Sequence, residues 1–189
     1  MRIAILCLQG AFLEHEQRLQ QLGVETFRVR QLADWLQPKD GVVLPGGEST
    51  SQTHLLHDLQ LYDPLRDELR NGLPAFGTCA GLILLSSSHL GTMDIAVRRN
   101  AYGRQLGSFH TTADMGEVGS AVPMTFIRAP YIERTLSPQV NVLAEVDGHI
   151  VAAQQGAQLV TAFHPELDSD TRVHKHFLSM VQQRSAAHV

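Results

Sequence analysis

A cysteine stands between two glycines in the segment Gly77-Thr78-Cys79-Ala80-Gly81. A short apolar run after Pro74 is typical of a strand, and the Leu-rich run that follows is typical of a helix start. Such a strand–helix turn is sharp, and glycines tolerate the unusual backbone angles and the close approach that it needs. At a helix N-terminus the thiolate is favoured. The pattern therefore predicts that Cys79 is a nucleophile; the alternative is a buried structural cysteine.

A histidine and a glutamate lie far along the chain, in Ala162-Phe163-His164-Pro165-Glu166. A thiolate nucleophile needs a base that takes and returns a proton, and the base needs a partner that holds its ring. Because Pro165 favours an extended backbone, residues two apart are expected to point the same way. The segment predicts His164 as the base and Glu166 as its partner. Taken alone, a His-x-Glu segment is more often a surface histidine beside a solvated glutamate, and the pairing with Cys79 is what favours the catalytic interpretation.

A glycine pair occurs at the predicted carboxyl end of a strand, in Pro45-Gly46-Gly47-Glu48-Ser49-Thr50. Ligands of open α/β sheets bind outside such strand ends. An N–H group of this loop, together with the N–H of Ala80, could form an oxyanion hole. The segment is also typical of a simple turn with Ser49 as a helix N-cap. It is not a phosphate-binding loop, because the Gly-Lys-Ser/Thr ending is missing.

Arginines stand among apolar residues in two segments, 98–105 and 126–130. Arg binds a carboxylate through two parallel hydrogen bonds and is therefore suited to a ligand that carries one. For each arginine taken singly, a surface salt bridge is the favoured interpretation.

Composition excludes several classes of function. The chain has 189 residues and a formal net charge of -4, which gives no electrostatic footprint for nucleic acid or an anionic membrane. It shows no run of transmembrane length and no signal-peptide pattern. The two cysteines, Cys7 and Cys79, suggest no disulfide framework, so we expect a cytoplasmic protein. The ten histidines are scattered and predict no metal site.

The order of elements predicts an α/β fold with a mostly parallel central sheet, in one domain over residues 1–189. Strands and helices alternate up to about residue 88, and short β-rich segments follow. The hairpin-length connection Asp147-Gly148 requires antiparallel pairing in this second half. A last helix is predicted from about Ser169 to Gln183, with residues 185–189 as a frayed tail. The predicted β-rich segments are 95–98, 106–113, 122–127, 140–146, 149–155 and 158–163.

Taken together, these motifs resemble those of class I, triad-type glutamine amidotransferases. The likeness narrows to the glutaminase subunits of pyridoxal 5'-phosphate synthases on further segments: Leu8-Gln9-Gly10-Ala11 with Glu14-His15, Arg99-Asn100 through Gln105, Phe126-Ile127-Arg128-Ala129-Pro130 and Ala162-Phe163-His164-Pro165-Glu166-Leu167. The resemblance covers nearly the whole chain, from Ile3 to about Val181.

The resemblance implies a flavodoxin-like, three-layer glutaminase fold and the hydrolysis of L-glutamine to L-glutamate and ammonia. It implies a thioester on Cys79, proton transfer by His164, orientation of that ring by Glu166, and no metal or cofactor. The protein partner would be the lyase subunit that builds pyridoxal 5'-phosphate with the ammonia. The resemblance assigns the oxyanion N–H groups to Gly47 and Ala80, and glutamine binding to Gly47, Glu48, Ser49, Arg99, Ile127 and Arg128.

Two segments depart from the family pattern. Ser108-Phe109-His110 stands where the family has Ser-Phe-Glu, and the loop before Arg99 is short. Neither touches the predicted triad. Three other readings stay open at this point: a glutaminase of another pathway such as histidine biosynthesis, a non-catalytic binding module on the same fold, and a thiol peptidase or other hydrolase.

Overall fold

The computed structural model describes residues 1–99 and 108–187. In the first half, strands and helices alternate as predicted. The strands are β1 (Arg2–Leu6), β2 (Glu25–Val29), β3 (Gly41–Leu44) and β4 (Ala75–Thr78). The helices are α1 (Phe12–Gln21), α2 (Leu32–Trp35), α3 (Ser49–Asp58), α4 (Tyr62–Arg70) and α5 (Ala80–Leu85).

Strands dominate the second half. They are β5 (Ile95–Arg98), β6 (Ser108–Ala113), β7 (Val122–Ile127), β8 (Tyr131–Thr135), β9 (Asn141–Val146), β10 (His149–Gln155) and β11 (Gln158–Thr161). Two short 3-10 helices span Gly116–Val118 and Pro165–Leu167, and the chain closes with α6 (Arg172–Ala187).

The central sheet has the strand order β2-β1-β3-β4-β11-β10-β8-β5, and β9 pairs with β10. Its first five strands in that order are parallel neighbours. The pairs that β10 makes with β8, β9 and β11 are antiparallel, as is β5 with β8. Strands β6 and β7 form a separate antiparallel pair. The predicted α/β class, mostly parallel with antiparallel additions, is confirmed.

Helices cover both faces of the parallel strands. Phe76 and Gly77 are neighbours in β4, so they point to opposite faces. Phe76 meets the rings of His15 in α1 and His174 in α6, with centroids 5.7 and 5.5 Å away. A Cβ on Gly77 would instead lie 2.7 Å from the backbone of Gly81 in α5. The sheet therefore lies between two helical layers, which is the predicted three-layer arrangement.

Several boundaries differ from those predicted. The one-turn helix α2 and the strand β8 were not predicted; β8 is mixed in exposure, with Ile132 its one fully buried residue. Helix α6 begins at Arg172, later than predicted, because the Arg172 N–H donates to Asp170 Oδ1 across a turn (2.8 Å). It continues through residues 185–187, which were expected to be a tail. Residues 188–189 and the start of the predicted strand 106–113 lie outside the described residues.

The predicted hairpin between β9 and β10 is confirmed. Asp147 and Gly148 both have positive φ, 51° and 76°, as a tight two-residue turn between twisted strands requires. Among residues 1–99 and 108–187, none of the helices combines the length and the apolar character needed to cross a bilayer.

Candidate active site

Cys79 lies at the strand–helix turn that the sequence predicts, between β4 and α5. Its own backbone carries the unusual conformation, with φ 49° and ψ -100°, a region that non-glycine residues rarely occupy. The flanking glycines serve close packing instead. A Cβ on Gly81 would lie 2.0 Å from the Leu44 carbonyl oxygen, so only glycine lets α5 approach β3 this closely.

His164 and Glu166 follow β11, the strand beside β4. The Nδ1 of His164 and the Oε1 of Glu166 are 2.6 Å apart, and both side chains are buried. The predicted partnership is therefore present, but the predicted extended backbone is wrong. Pro165 instead opens a 3-10 helix that includes Glu166, because its fixed φ also suits the first residue of a helical turn.

The charge state of His164 is set by its two partners. Burial disfavours the charged ring, but hydrogen bonds to Cys79 and Glu166, and the charges of those two groups, raise the pKa of His164 to about 10. The ring is then protonated at neutral pH. An imidazolium beside a cysteine favours the thiolate form, as in other cysteine–histidine pairs.

The glycine loop after β3 is held by the loop that precedes α1. The Gly46 carbonyl accepts the Ala11 N–H (3.0 Å), and the Glu48 N–H donates to Gln9 Oε1 (2.7 Å). A Cβ on Gly10, where φ is 104°, would lie 1.8 Å from the Gly46 oxygen, so the contact requires glycine. The Gly46–Gly47 peptide is thereby oriented by residues of another loop.

The two backbone N–H groups that the resemblance assigns to an oxyanion hole belong to Gly47 and Ala80. Ala80 is the first residue of α5, where N–H groups lack intrahelical partners. Within the part of the chain that the structure describes, neither the Gly47 N–H nor the Ala80 N–H has a hydrogen-bond acceptor.

The helix cap on the glycine loop is Glu48 and not Ser49. The Glu48 carboxylate accepts the N–H groups of Thr50 (3.0 Å) and Ser51 (2.7 Å), and Ser49 is the buried first residue of α3. These hydrogen bonds lower the pKa of Glu48 to about 2. The expectation that Ser49 caps the helix is wrong, because the longer Glu side chain reaches two donors of the first turn.

A cavity of about 370 Å³ opens over Cys79 and His164. Its lining residues are Ala11, Gly46, Gly47, Cys79, Ile127, Arg128, His164 and Leu167. Of the predicted ligand-binding residues, Gly47, Ile127 and Arg128 line this cavity. Ile127 is 41% exposed, and Arg128 has a positive φ of 45°.

The other predicted ligand-binding residues, Glu48, Ser49 and Arg99, are not among the residues that line this cavity. Arg99 Nη1 donates to Thr50 Oγ1 in α3 (3.1 Å), and Nη2 lies 3.1 Å from His89 Nε2. Residues 100–105 of the Arg-rich segment lie outside the described residues. His110, which departs from the family pattern, lies 3.2 Å from Asp168 Oδ1 on the exposed surface.

The structure brings into the site several residues that had no predicted role. Ala11, Gly46 and Leu167 line the cavity. His15 and Thr78 lie behind it, within hydrogen-bond distance of each other (3.0 Å). The signal was present, since the segment before α1 was among the matching motifs, but separation along the chain hides its contact with residues 46–48.

The second cysteine has a different environment. Cys7 follows β1, is buried and is free, and its N–H donates to the Val29 carbonyl (2.9 Å). Burial, opposed by the charges of Arg28 and Arg30, raises the pKa of the Cys7 thiol to about 11. Cys7 is therefore protonated and unreactive at neutral pH.

A cysteine, a histidine and a glutamate joined in a row at the carboxyl ends of parallel strands define a class of thiol-dependent acyl-transfer sites. The model of the SNO glutamine amidotransferase family matches residues 5–183. The chain belongs to this family of glutamine amidotransferases.

Individual relatives are similar over their full length. A pyridoxal 5'-phosphate synthase subunit PdxT of Methanocorpusculum labreanum is 55% identical over 187 residues, 96% of this chain and 98% of that protein. One of Streptococcus pneumoniae is 52% identical, over 97% of this chain and 99% of its own. The solved structure of a glutamine amidotransferase has a TM-score of 0.89 at 38% identity, and the match covers 95% of this chain and 98% of that one.

Proposed function

We propose that this chain is the glutaminase subunit of a pyridoxal 5'-phosphate synthase, hydrolysing L-glutamine to L-glutamate and ammonia. The observation that carries the proposal is the placement of Cys79 and His164 side by side in the lining of a cavity of about 370 Å³, with Glu166 Oε1 2.6 Å from His164 Nδ1. The full-length similarity to PdxT subunits supports the pathway. This similarity favours the pyridoxal 5'-phosphate pathway over histidine biosynthesis. The intact set of Cys79, His164 and Glu166 argues against a non-catalytic binding module.

In the first half-reaction, Cys79 Sγ attacks the side-chain amide carbon of glutamine. The carbonyl oxygen becomes an oxyanion, and the N–H groups of Gly47 and Ala80 donate to it. His164 gives its proton to the amide nitrogen, ammonia leaves, and a thioester remains on Cys79. Glu166 keeps the ring of His164 in the orientation that both proton transfers need.

In the second half-reaction, water attacks the thioester carbon. His164 takes a proton from the water, the C–S bond breaks, and glutamate leaves. The resting pair of Cys79 and His164 is restored, so the chain itself needs no metal or cofactor for the proposed hydrolysis.

The ligand contacts are part of the same proposal. Arg128 at the cavity wall is suited to the α-carboxylate of glutamine, since Arg binds carboxylates through two parallel hydrogen bonds. Gly47 and Ile127 line the cavity, whereas Glu48, Ser49 and Arg99 would act from its edge, Glu48 by holding the start of α3. The nucleophilic thiol needs a reducing compartment, so we place the chain, as a single domain, in the cytoplasm.

The test is the rate of glutamate release from L-glutamine, by the chain alone and with excess synthase subunit. We expect glutamate release that depends on Cys79, and transfer of the nitrogen to the synthase product when ¹⁵N-amide glutamine is supplied. Release of glutamate without nitrogen transfer would support the glutaminase activity and contradict the assignment to pyridoxal 5'-phosphate synthesis. The absence of glutamate release in both conditions would contradict the enzyme assignment.

A further inference from the structure

A row of buried polar side chains continues from the triad to its far side, away from the cavity. Glu166 Oε2 lies 3.4 Å from His15 Nε2, and His15 Nδ1 lies 3.1 Å from His174 Nε2. His15 and His174 are fully buried. The proposed reaction has no role for these two rings, although burying polar groups is costly unless they interact.

Two atoms without hydrogen-bond partners decide which nitrogens of this row carry protons. Glu166 Oε2 and His174 Nδ1 have no hydrogen-bond partner among the described residues. If His174 carries its proton on Nε2, its Nδ1 is a lone pair, which can stay unpaired at less cost than a buried N–H. The His174 Nε2–H then donates to His15 Nδ1, so a neutral His15 carries its proton on Nε2.

This tautomer turns a donor toward Glu166. The His15 Nε2–H lies between Thr78 Oγ1 (3.0 Å) and Glu166 Oε2 (3.4 Å). The opposite tautomer would place a lone pair against the carboxylate and leave a buried N–H of His174 without an acceptor. Both rings are neutral, because burial lowers the pKa of His15 and lowers that of His174 to about 3.

His15 also contacts the side of the site that carries the oxyanion loop. Thr78 Oγ1, its other neighbour, accepts the Gly46 N–H (3.0 Å). Ala11, one helical turn before His15, holds the Gly46 carbonyl through its own N–H. One ring therefore touches both the carboxylate of the triad and the residue that anchors the glycine loop.

We propose that His15 is a positioning residue for the triad: its Nε2–H holds Glu166 Oε2 and Thr78 Oγ1 at once, and His174 fixes the tautomer that this requires. The inference deepens the proposed glutaminase and rests on it. Glu166 can orient His164 only while its own carboxylate is held, and Oε1 already faces His164. Among the described donors, His15 is the side chain placed at Oε2.

The first experiment compares His15→Gln with His15→Asn and His15→Leu in glutamate release by the complex with the synthase subunit. Gln places an amide N–H where Nε2 stands, whereas Asn reaches only the position of Nδ1. Loss of the N–H donor that faces the buried carboxylate predicts a kcat roughly 10- to 100-fold lower for Leu and Asn. KM should stay within about threefold, and Gln should restore kcat to within about fivefold of wild type.

His176→Leu is the matched control. His176 lies on the same helix as His174, is partly buried and pairs with Gln154 Oε1 (2.8 Å), away from the triad. We expect lower thermal stability with wild-type kcat. His174→Phe keeps a ring against Phe76 and removes the donor to His15, so it should lower kcat by a smaller factor than His15→Leu. An equal kcat for the Gln and Asn variants, or a wild-type kcat for His15→Leu, would overturn the proposal.

A second readout needs neither glutamine nor the partner. It is the pH dependence of Cys79 alkylation by iodoacetamide, located by mass spectrometry. The charged or titratable groups around Glu166 are His164, His15, His174 and Arg18, whose Nε donates to the Glu166 carbonyl (3.2 Å). Without the His15 donor the Glu166 carboxylate protonates more readily and supports the His164 imidazolium less. The acid limb of the alkylation profile, where the rate falls as pH drops, should therefore move to higher pH in His15→Leu and not in His176→Leu.

The two proposals can fail separately. A wild-type chain that is alkylated normally but releases no glutamate with its partner contradicts the proposed function. An active wild type whose His15→Leu variant keeps both its kcat and its acid limb contradicts the role of His15 alone.

Discussion

Glu166 has a histidine on each side, and the two sides of this carboxylate differ in almost every physical respect. On the cavity side, His164 lies beside Cys79 and pairs with Glu166, and interactions with these two groups raise its pKa to about 10. On the closed side, the pKa of His15 is lowered, and that of His174 is lowered to about 3. The same side chain is thus charged on one side and neutral on the other at pH 7.

The difference follows from what each ring meets besides the carboxylate. His164 has an anionic neighbour on both edges when Cys79 is a thiolate, which outweighs the cost of burial. His15 has one carboxylate at 3.4 Å, a hydroxyl and a second imidazole, and burial dominates. Proton transfer is therefore confined to the cavity side, and the closed side can only hold the carboxylate in place.

The largest effect on activity is expected from removing the nucleophile on the cavity side. Cys79→Ala should lower glutamate release by about 10⁴-fold or more, because no nucleophile remains to form the thioester. Cys7→Ala is the control: its thiol is buried with a pKa of about 11, and turnover should stay within about threefold. A glutamine-analogue alkylator found on Cys7 and absent from Cys79 would refute this assignment.

Glu166→Gln changes the carboxylate that faces both His164 and His15, and it should have the second largest effect on activity. The amide keeps the shape but not the charge, so the kcat for glutamate release should fall by about 10²- to 10⁴-fold. Asp168→Asn is a matched control two residues on, because the Asp168 carboxylate interacts with His110 and Thr125 and not with His164. Comparable losses in the two variants would mean that the segment, and not the carboxylate beside His164, matters.

The histidines on the two sides of Glu166 should make the free energy of unfolding depend on pH in opposite directions. His174 binds a proton in the unfolded chain below about pH 6.5 but not in the folded one until about pH 3, so it makes stability fall as pH drops, by up to about 1.4 kcal/mol per pH unit. His174→Gln should flatten that fall between pH 6.5 and 4.5 in urea unfolding.

His164 provides the opposite case. Its raised pKa contributes stability that is fully present below about pH 6.5 and is lost as pH rises toward 10. The stability advantage of wild type over His164→Gln should therefore shrink from pH 6 to pH 9. Identical pH profiles for the two Gln variants would show that the two environments do not differ as described.

Substitutions of the arginines near the cavity should have a smaller effect, and mainly on the binding of glutamine. Arg128→Lys should raise the KM for glutamine by about tenfold with little change in kcat, since Lys cannot form the planar pair of hydrogen bonds. Arg99→Lys should have a weaker effect, because Arg99 contacts α3 and His89 and does not line the cavity. Arg98→Lys is the exposed control, and an unchanged KM in the Arg99 and Arg128 variants would exclude both arginines from glutamine binding.

The smallest effect is expected for Glu48, whose carboxylate caps α3 by accepting the N–H groups of Thr50 and Ser51 and the Ser51 hydroxyl. Glu48→Ala should lower the free energy of unfolding by about 1 kcal/mol at pH 7, the usual cost of a lost N-cap. With a folded pKa of about 2, the contribution of Glu48 is present above about pH 4.3 and is lost as pH falls toward 2. The difference between wild type and variant should therefore shrink at pH 3, and a difference that grows there would contradict the cap.

Much of this molecule could be predicted from the sequence because local patterns determined it. The alternation of apolar runs and helical segments indicated the parallel half, and Asp147-Gly148 indicated the hairpin. The glycines around Cys79 indicated a close strand–helix packing, which the contacts of Gly77 and Gly81 explain. These features depend on neighbours in the sequence, so composition and spacing carry them.

The tertiary structure alone decided what depends on contacts between distant segments. Nothing in the spacing of His15, Thr78, Glu166 and His174 predicts that they meet, because they come from four elements that only the sheet order brings together. The turn at Pro165 and the positive φ of Cys79 were likewise unforeseen, since a local preference permits them without requiring them. Charge states follow the same rule: burial and partners fix them, and both exist only in the folded chain.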